Sequence, residues 1–406
     1  MTAPPGFAFI EKHRLLVRVA LAIVSLVLTV VTIDLVAFYG LGLRRLGHGG
    51  ENFFQYSSLL GWEHRPFAEG TWYAYKDGTR THVRINAFGF PDVDRTVEKN
   101  RPRIALIGDS TTEFWEVQEN ERAQTVIEKL LGGGVEVLNF GLRGAGTDQE
   151  FLRYVNEVVH FRPDIVVLFF CVNDIGNNIT TQSKPYFVLD SDAPRGIRLE
   201  GLPVRGLPPS NSSGWRGVLE QSFTLRRMKY LVEGFGTHLR TNALLEDHYE
   251  LRPFKRSYDA EDERRLQLEQ RLLTAFASYS REHDIHFLLV EGLYRPALDD
   301  EMRQRVVSAY GDQFDFDKIS RLLSEHSSAE GYEFLSLPRL VGERRMDVRE
   351  LMHPEDTMHL NAKGVSEFAA AVVERIRERR WLDDSSTRRD DSAGAITRRP
   401  LGELSQ

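Results

Sequence analysis

Apolar positions are distributed very unevenly along the chain. Residues 19–43 read VALAIVSLVLTVVTIDLVAFYGLGL, apolar all round, with Asp34 the only ionisable side chain. Roughly 20 apolar residues span a bilayer as a helix, so this run predicts a single transmembrane helix. It exceeds the apolar core of a signal peptide, about 7 to 15 residues. Lys12, Arg14 and Arg18 precede or enter the run, and Arg44 and Arg45 follow it. Three basic residues against two place residues 1–18 in the cytoplasm and the body outside it, periplasmic or extracellular. With the span centred on Leu26, Asp34 falls near the outer interface.

Beyond the run the pattern changes to short apolar stretches alternating with helical periodicity. Residues 103–110 (RIALIGDS), 135–141 (VEVLNFG), 164–174 (DIVVLFFCVND), 285–292 (IHFLLVEG) and 332–337 (YEFLSL) read as buried strands. Between and after them Phe151, Leu152, Val155, Val158 and Val159 repeat at helical spacing. Leu266, Leu272, Leu273, Phe276 and Tyr279 do the same, as do Val365, Phe368, Ala369, Val372 and Ile376. Asn361 is placed to cap the last helix. Strands alternating with helices imply βαβ units and a parallel sheet of about five strands covered on both faces. That core occupies residues 102–382. Residues 44–101, with Trp62, Trp72, Tyr73 and Tyr75, form an aromatic-rich extension expected mainly to pack on the core, with a surface for stacking sugar rings as the alternative. Residues 175–257, holding GLPVRGLPPSNSSG, are far longer than an ordinary connection and read as an insertion beside the ligand edge. Residues 383–406 are charged, Ser/Thr-rich and poor in large apolar side chains, which predicts a disordered tail.

Composition narrows the chemistry. With 59 acidic against 52 basic residues the net charge is −7, and no Lys/Arg cluster offers itself to a phosphate backbone, so nucleic acid is excluded as a partner. Cys171 is the only cysteine, which rules out an intramolecular disulfide and a cysteine-based metal cage. No metal or cofactor is called for.

In an open parallel sheet ligands bind at the carboxyl ends of the strands, so the residues just after each strand carry the chemistry. After the first comes Gly108-Asp109-Ser110, a serine at a strand-to-helix turn that can act as a nucleophile if a base takes its proton. After the second comes NFGLRGAGTDQE, where Gly141, Gly144 and Gly146 free the backbone to approach a substrate. After the third comes Asn173-Asp174, whose Asn amide can donate to an oxyanion. Ahead of the last helix, HPEDTMHLNAKG holds Asp356 three residues before His359. A carboxylate at that spacing can orient an imidazole whose other nitrogen faces the serine.

This ordered set, Gly108-Asp109-Ser110, Gly144, Asn173 and Asp356-x-x-His359, resembles the SGNH (GDSL) hydrolase superfamily over about residues 103–380. The resemblance implies a flavodoxin-like three-layer α/β/α sandwich. It implies Ser110 as nucleophile, His359 as general base and Asp356 as its orienting carboxylate. The Ser110 N–H, the Gly144 N–H and the Asn173 side chain would form the oxyanion hole. One departure stands out: Cys171 occupies the place of the usual glycine two residues before the Asn. His353 lies on the wrong side of Asp356 for the family pattern. Residues 60–117 also look like membrane-anchored bacterial members. The expected function is a serine ester hydrolase or acyltransferase acting on O-acyl, above all O-acetyl, groups of a cell-envelope carbohydrate. A lipase- or thioesterase-type acyl hydrolase and a non-catalytic carbohydrate-binding protein on the same fold are the alternatives. With an ordinary imidazole, activity is expected to rise near pH 6.5.

Overall fold

The computed structural model describes residues 14–36, 53–73, 80–180, 183–193, 195–204, 249–354 and 356–383. The chain divides into two units, one of Met1–His48 and Ser210–Leu244, the other of Gly49–Pro209 and Leu245–Gln406. In the first, a helix runs Arg14–Leu35, and its Leu21, Leu26 and Leu28 are 63%, 65% and 60% exposed. Among the described residues no helix is long and apolar enough to cross a membrane. Arg18 and Asp34 bound an uncharged stretch of residues 19–33, which at 1.5 Å per residue covers about 22 Å of a hydrocarbon core of about 30 Å. The expected span 19–43 continues into residues 37–43, which lie outside the described residues.

The second unit is built on five parallel strands: β1 Arg103–Gly108, β2 Glu136–Asn139, β3 Ile165–Phe170, β4 His286–Glu291 and β5 Glu333–Ser336. Their spatial order is β5-β4-β3-β1-β2, the doubly wound order in which the chain reverses direction at β1 and β3. β1, β3 and β4 are buried on both faces with few exceptions, which is why they read as continuous apolar runs. Within each strand alternate residues enter different cores. Ile104, Leu106, Val167 and Leu288 meet Ile127, Phe368 and Val372 on one side. Ala105, Ile107, Leu168 and Leu289 meet Phe151, Phe276 and Leu323 on the other. The helices supplying these side chains are α1 Ala123–Leu130 and α5 Ala362–Glu378 on the first face, and α2 Thr147–Asn156, α3 Ala260–Glu282 and α4 Lys318–Glu330 on the second. The result is an α/β fold in three layers.

Local chemistry sets the helix boundaries. Asp259 caps α3 by accepting from the N–H groups of Glu261 and Asp262, and Asn361 caps α5 by accepting from Gly364 N–H. Arg103, fully buried at the start of β1, is satisfied by Glu136 and by the carbonyls of Thr96, Val97, Glu98 and Phe161.

The extension before β1 forms two hairpins, Phe54–Ser57 with Gly61–His64 and Glu69–Tyr73 with Arg80–Arg84. Phe53, Trp72, Val83 and Ile85 gather with Trp115 in a small core of their own, so Trp72 packs rather than presenting a stacking surface. Tyr75 lies outside the described residues. After β3 the chain makes a helical turn, Asp174–Asn177, and a hairpin, Tyr186–Leu189 with Ile197–Glu200, before the 3-10 turn Tyr249–Phe254 leads to α3. The expected tail lies outside the described residues from 384 on.

Candidate active site

The first strand delivers its serine through a tight turn. β1 ends at Gly108, where a Cβ would lie 2.1 Å from Thr112 Oγ1 and 2.9 Å from the Phe169 carbonyl, so only glycine lets the chain pass. Asp109 then caps the short helical turn Ser110–Glu113 by accepting from Thr111 N–H. Ser110 Oγ lies 2.9 Å from His359 Nε2. His359 Nδ1 lies 2.9 Å from Asp356 Oδ2, and Asp356 Oδ1 accepts from the N–H groups of Met358 and His359. The aspartate thus grips both the ring and the backbone of the histidine it orients. The loop is fastened by Asn361, whose amide donates to the Glu350 and Met352 carbonyls. Serine, histidine and aspartate are therefore joined in series, an arrangement able to move a proton off Ser110 and stabilise the imidazolium that forms. His353 contributes its backbone, donating to the His359 carbonyl, while the ring beside Ser110 is that of His359.

A second carboxylate faces the same imidazole. Glu116 Oε1 is 4.0 Å from His359 Nε2 and is buried at 5% side-chain exposure. Burial pushes the His359 imidazole down, but Glu116 and Asp356 outweigh it and push its pKa up to about 9. The charge of Glu116, which was not legible in the sequence as Asp356 and His359 were, moves the expected activity rise above pH 6.5. Burial raises the Glu116 carboxyl, yet His359 and Arg143 bring it below its ordinary value, so it is ionised.

Arg143 ties this acid to the loop after β2. Its Nη2 donates to Glu116 Oε1 at 2.9 Å, and its Nε donates to Glu113 Oε2 at 3.0 Å. Its backbone N–H also donates to Glu113 Oε1 at 2.6 Å, and the guanidinium lies 4.6 Å from the Trp72 ring. His64, buried and pushed toward its neutral form chiefly by that burial, shares Glu113 Oε1 at 2.9 Å. Glu113 therefore holds the residue directly before Gly144. None of His64, Glu113, Glu116 or Arg143 was singled out from sequence; the short spacing from Ser110 to Glu113 and Glu116 was the available signal.

The oxyanion-hole candidates stand at the carboxyl ends of the two strands flanking β1. Gly144 follows β2 with φ +75°, a conformation that favours glycine, and the half-buried Trp62 lies beside it, its indole N–H donating to the Arg143 carbonyl. Asn173 follows β3 and donates through Nδ2 to Asp109 Oδ2 at 2.8 Å, which brings it next to Ser110 with a second amide N–H still to give. Cys171 is accommodated without distortion. It has no positive φ that would demand glycine, and its turn is closed by Asp174, whose carboxylate accepts from Cys171 N–H at 2.8 Å. Burial, with Asp109 and Asp174, pushes the thiol well up, which makes it an inert packed group.

Behind these loops lies a fully buried acidic group. Glu269 accepts from Thr147 and Asn178 and is pushed up to about 8, chiefly by burial. Asp148, paired with Lys184, reaches about 6 for the same leading reason. These acids brace α2 and the turn after β3 from below. Among the described residues no group of three or more His, Cys, Asp or Glu could hold a metal ion.

Comparison with known proteins shows the family. Residues 106–365 match the GDSL-like Lipase/Acylhydrolase family, an interval running from β1 to the start of α5. Among solved structures the chain is similar to a lipase/acylhydrolase from Enterococcus faecalis, at 14% identity over 68% of this chain and 96% of that one, TM-score 0.37. It is also similar to a carbohydrate acetylesterase family member from Sinorhizobium meliloti, at 12% identity over 70% and 99%, TM-score 0.36. An acetyl xylan esterase is similar at 14% identity over 68% and 99%, TM-score 0.36. No curated protein sequence matches significantly. The chain belongs to the GDSL-like lipase/acylhydrolase family and is a hydrolase acting on esters.

Proposed function

We propose that the protein cleaves O-acyl groups, O-acetyl above all, from a cell-envelope carbohydrate through an acyl-enzyme on Ser110. His359 is the general base, Asp356 orients it, and the N–H groups of Ser110 and Gly144 with the Asn173 amide receive the oxyanion. The observation that carries the reading is the continuous chain of 2.9 Å contacts from Ser110 Oγ to His359 to Asp356. Two features support a short acyl group on a sugar. The side chains set around the serine and histidine are charged or polar, namely Glu116, Arg143 and Asn173, a poor lining for a long apolar chain. The half-buried Trp62 stands beside Gly144, placing an aromatic side chain at the edge of the site where a sugar ring would lie.

The N-terminal helix is read as an anchor that leaves the catalytic body periplasmic or extracellular in a bacterial cell. The exposed leucines of the helix and the apolar sequence continuing to Leu43 support this. A panel of p-nitrophenyl esters tests the acyl preference. Acetate should be cleaved faster than octanoate by kcat/KM, and acetate should be released from O-acetylated polysaccharide. A preference for octanoate would replace this reading with that of a lipase- or thioesterase-type enzyme.

A further inference from the structure

We propose that Glu116 holds the water that deacylates Ser110, and thereby sets the site for hydrolysis over transfer to a hydroxyl. The inference rests on the reading of Ser110 as nucleophile and decides between the two fates of its acyl group. Glu116 Oε1 and His359 Nε2 are 4.0 Å apart. A water donating both its hydrogens at ordinary length, about 2.8 Å, holds its two acceptors about 4.4 Å apart. The two atoms are therefore set to share one water, one proton facing the base and the other the carboxylate.

The acid is held for that task. Arg143 Nη2 donates to Oε1 at 2.9 Å, leaving that oxygen a second lone pair, and Glu113 fixes Arg143 through both its backbone and its guanidinium. The charged groups facing His359 are Glu116, Asp356 and Arg143. Asp356 is engaged on the Nδ1 side, and Asp109, 3.5 Å from Ser110 Oγ, is taken up by Thr111 and Asn173, so Glu116 is the carboxylate that faces Nε2. An alcohol has a single O–H. Once that proton is directed to Nε2, the alcohol presents only lone pairs and carbon to a buried carboxylate, which is unfavourable.

In the step itself the water oxygen bonds to the acyl carbon as one of its protons passes to His359 Nε2. The bond from that carbon to Ser110 Oγ then breaks, and Nε2 returns the proton to Oγ. The second water proton stays, through its bond to Glu116, on the released carboxylic acid, which ionises in solution. No oxidant or co-reactant is needed.

The test compares Glu116→Gln with the native protein on p-nitrophenyl acetate at about pH 10, where His359 is neutral in both. Acylation should change by less than about threefold, and deacylation should slow by about 10- to 100-fold, the loss of one charge-assisted hydrogen bond. Acetyl-Ser110 should accumulate in acid-quenched digests. With methanol added, the ratio of methyl acetate to acetate should rise at least about fivefold. Glu116→Asp, which keeps the charge but withdraws the oxygen, should shift the ratio in the same direction. An unchanged ratio in both variants overturns the proposal while leaving Ser110 in place, as does an equal slowing of acylation and deacylation. Turnover by a folded Ser110→Ala protein overturns the proposal and the nucleophile together.

Discussion

Replacing Glu116 with Gln should lower the pH at which His359 becomes a base. Two unit charges 4.0 Å apart interact by about 4 kcal/mol at an effective dielectric constant of about 20, equivalent to about 3 pH units. Arg143 sits 2.9 Å from the same oxygen and offsets part of this, so the expected displacement is about 1 to 2 units. The native imidazole, held at about 9 against the downward pull of burial, should fall to about 7 to 8 in the variant. The assay is kcat/KM for a soluble acetate ester between about pH 5 and 10, which reports the free enzyme. The native protein should gain activity up to about pH 9, and the variant should reach its plateau earlier. At neutral pH acylation should therefore quicken in the variant, while the same gain in neutral imidazole offsets the slowing of deacylation. A native limb at the ordinary 6.5, or a variant limb within about 0.3 units of the native one, would refute the reasoning.

Three further outcomes are expected. Thermal stability should fall as activity rises with pH: His359 at about 9 against 6.5 unfolded, Glu269 at about 8 and Glu291 at about 7 against 4.5, all bind protons more tightly when folded. Their contribution is complete below the unfolded values and is lost as pH climbs through 7 to 9, so a Tm that rises from pH 6 to 9.5 would contradict these environments. Asn173→Ala should lower kcat by about 10² to 10³ with little change in KM; a loss of Tm with kcat of the folded fraction intact would reduce Asn173 to a turn residue. Alkaline phosphatase fused after Gln406 should be active in a bacterial host and green fluorescent protein dark, and the reverse pattern would place the body in the cytoplasm.

The hydrogen-bonded trio of Ser110, His359 and Asp356 was legible because each member sits at a point where chain chemistry is constrained. Ser110 follows a glycine that the turn demands, and Asp356 lies three residues before His359, the spacing that lets one carboxylate grip ring and backbone together. The five sheet strands were legible for a related reason: burial on both faces leaves uninterrupted apolar runs such as IVVLFF. What escaped were groups whose meaning depends on contacts between distant segments. Glu116 and Arg143 look like ordinary surface charges until the loop after β2 folds over the turn after β1. Arg103 opens a strand and gives no sign that four carbonyls and Glu136 will enclose it. The hairpin strands 54–57, 61–64, 69–73 and 80–84 are short, so alternation there was too brief to read, and nothing in the sequence showed that Trp72 would be buried and Trp62 only partly so. Cys171 looked like a disturbance because a glycine is usual at its place, but its backbone needs none and Asp174 closes the turn.

The central claim is that Ser110 carries the acyl group with His359 as its base, and the most direct measurement is the site of covalent labelling. The folded native protein should react with a fluorophosphonate probe, with the added mass on the peptide containing Ser110. Labelling should disappear in Ser110→Ala and fall steeply in His359→Ala, with His353→Ala far less affected. A folded Ser110→Ala protein that still takes up the probe, or equal losses in the two histidine variants, would contradict the account.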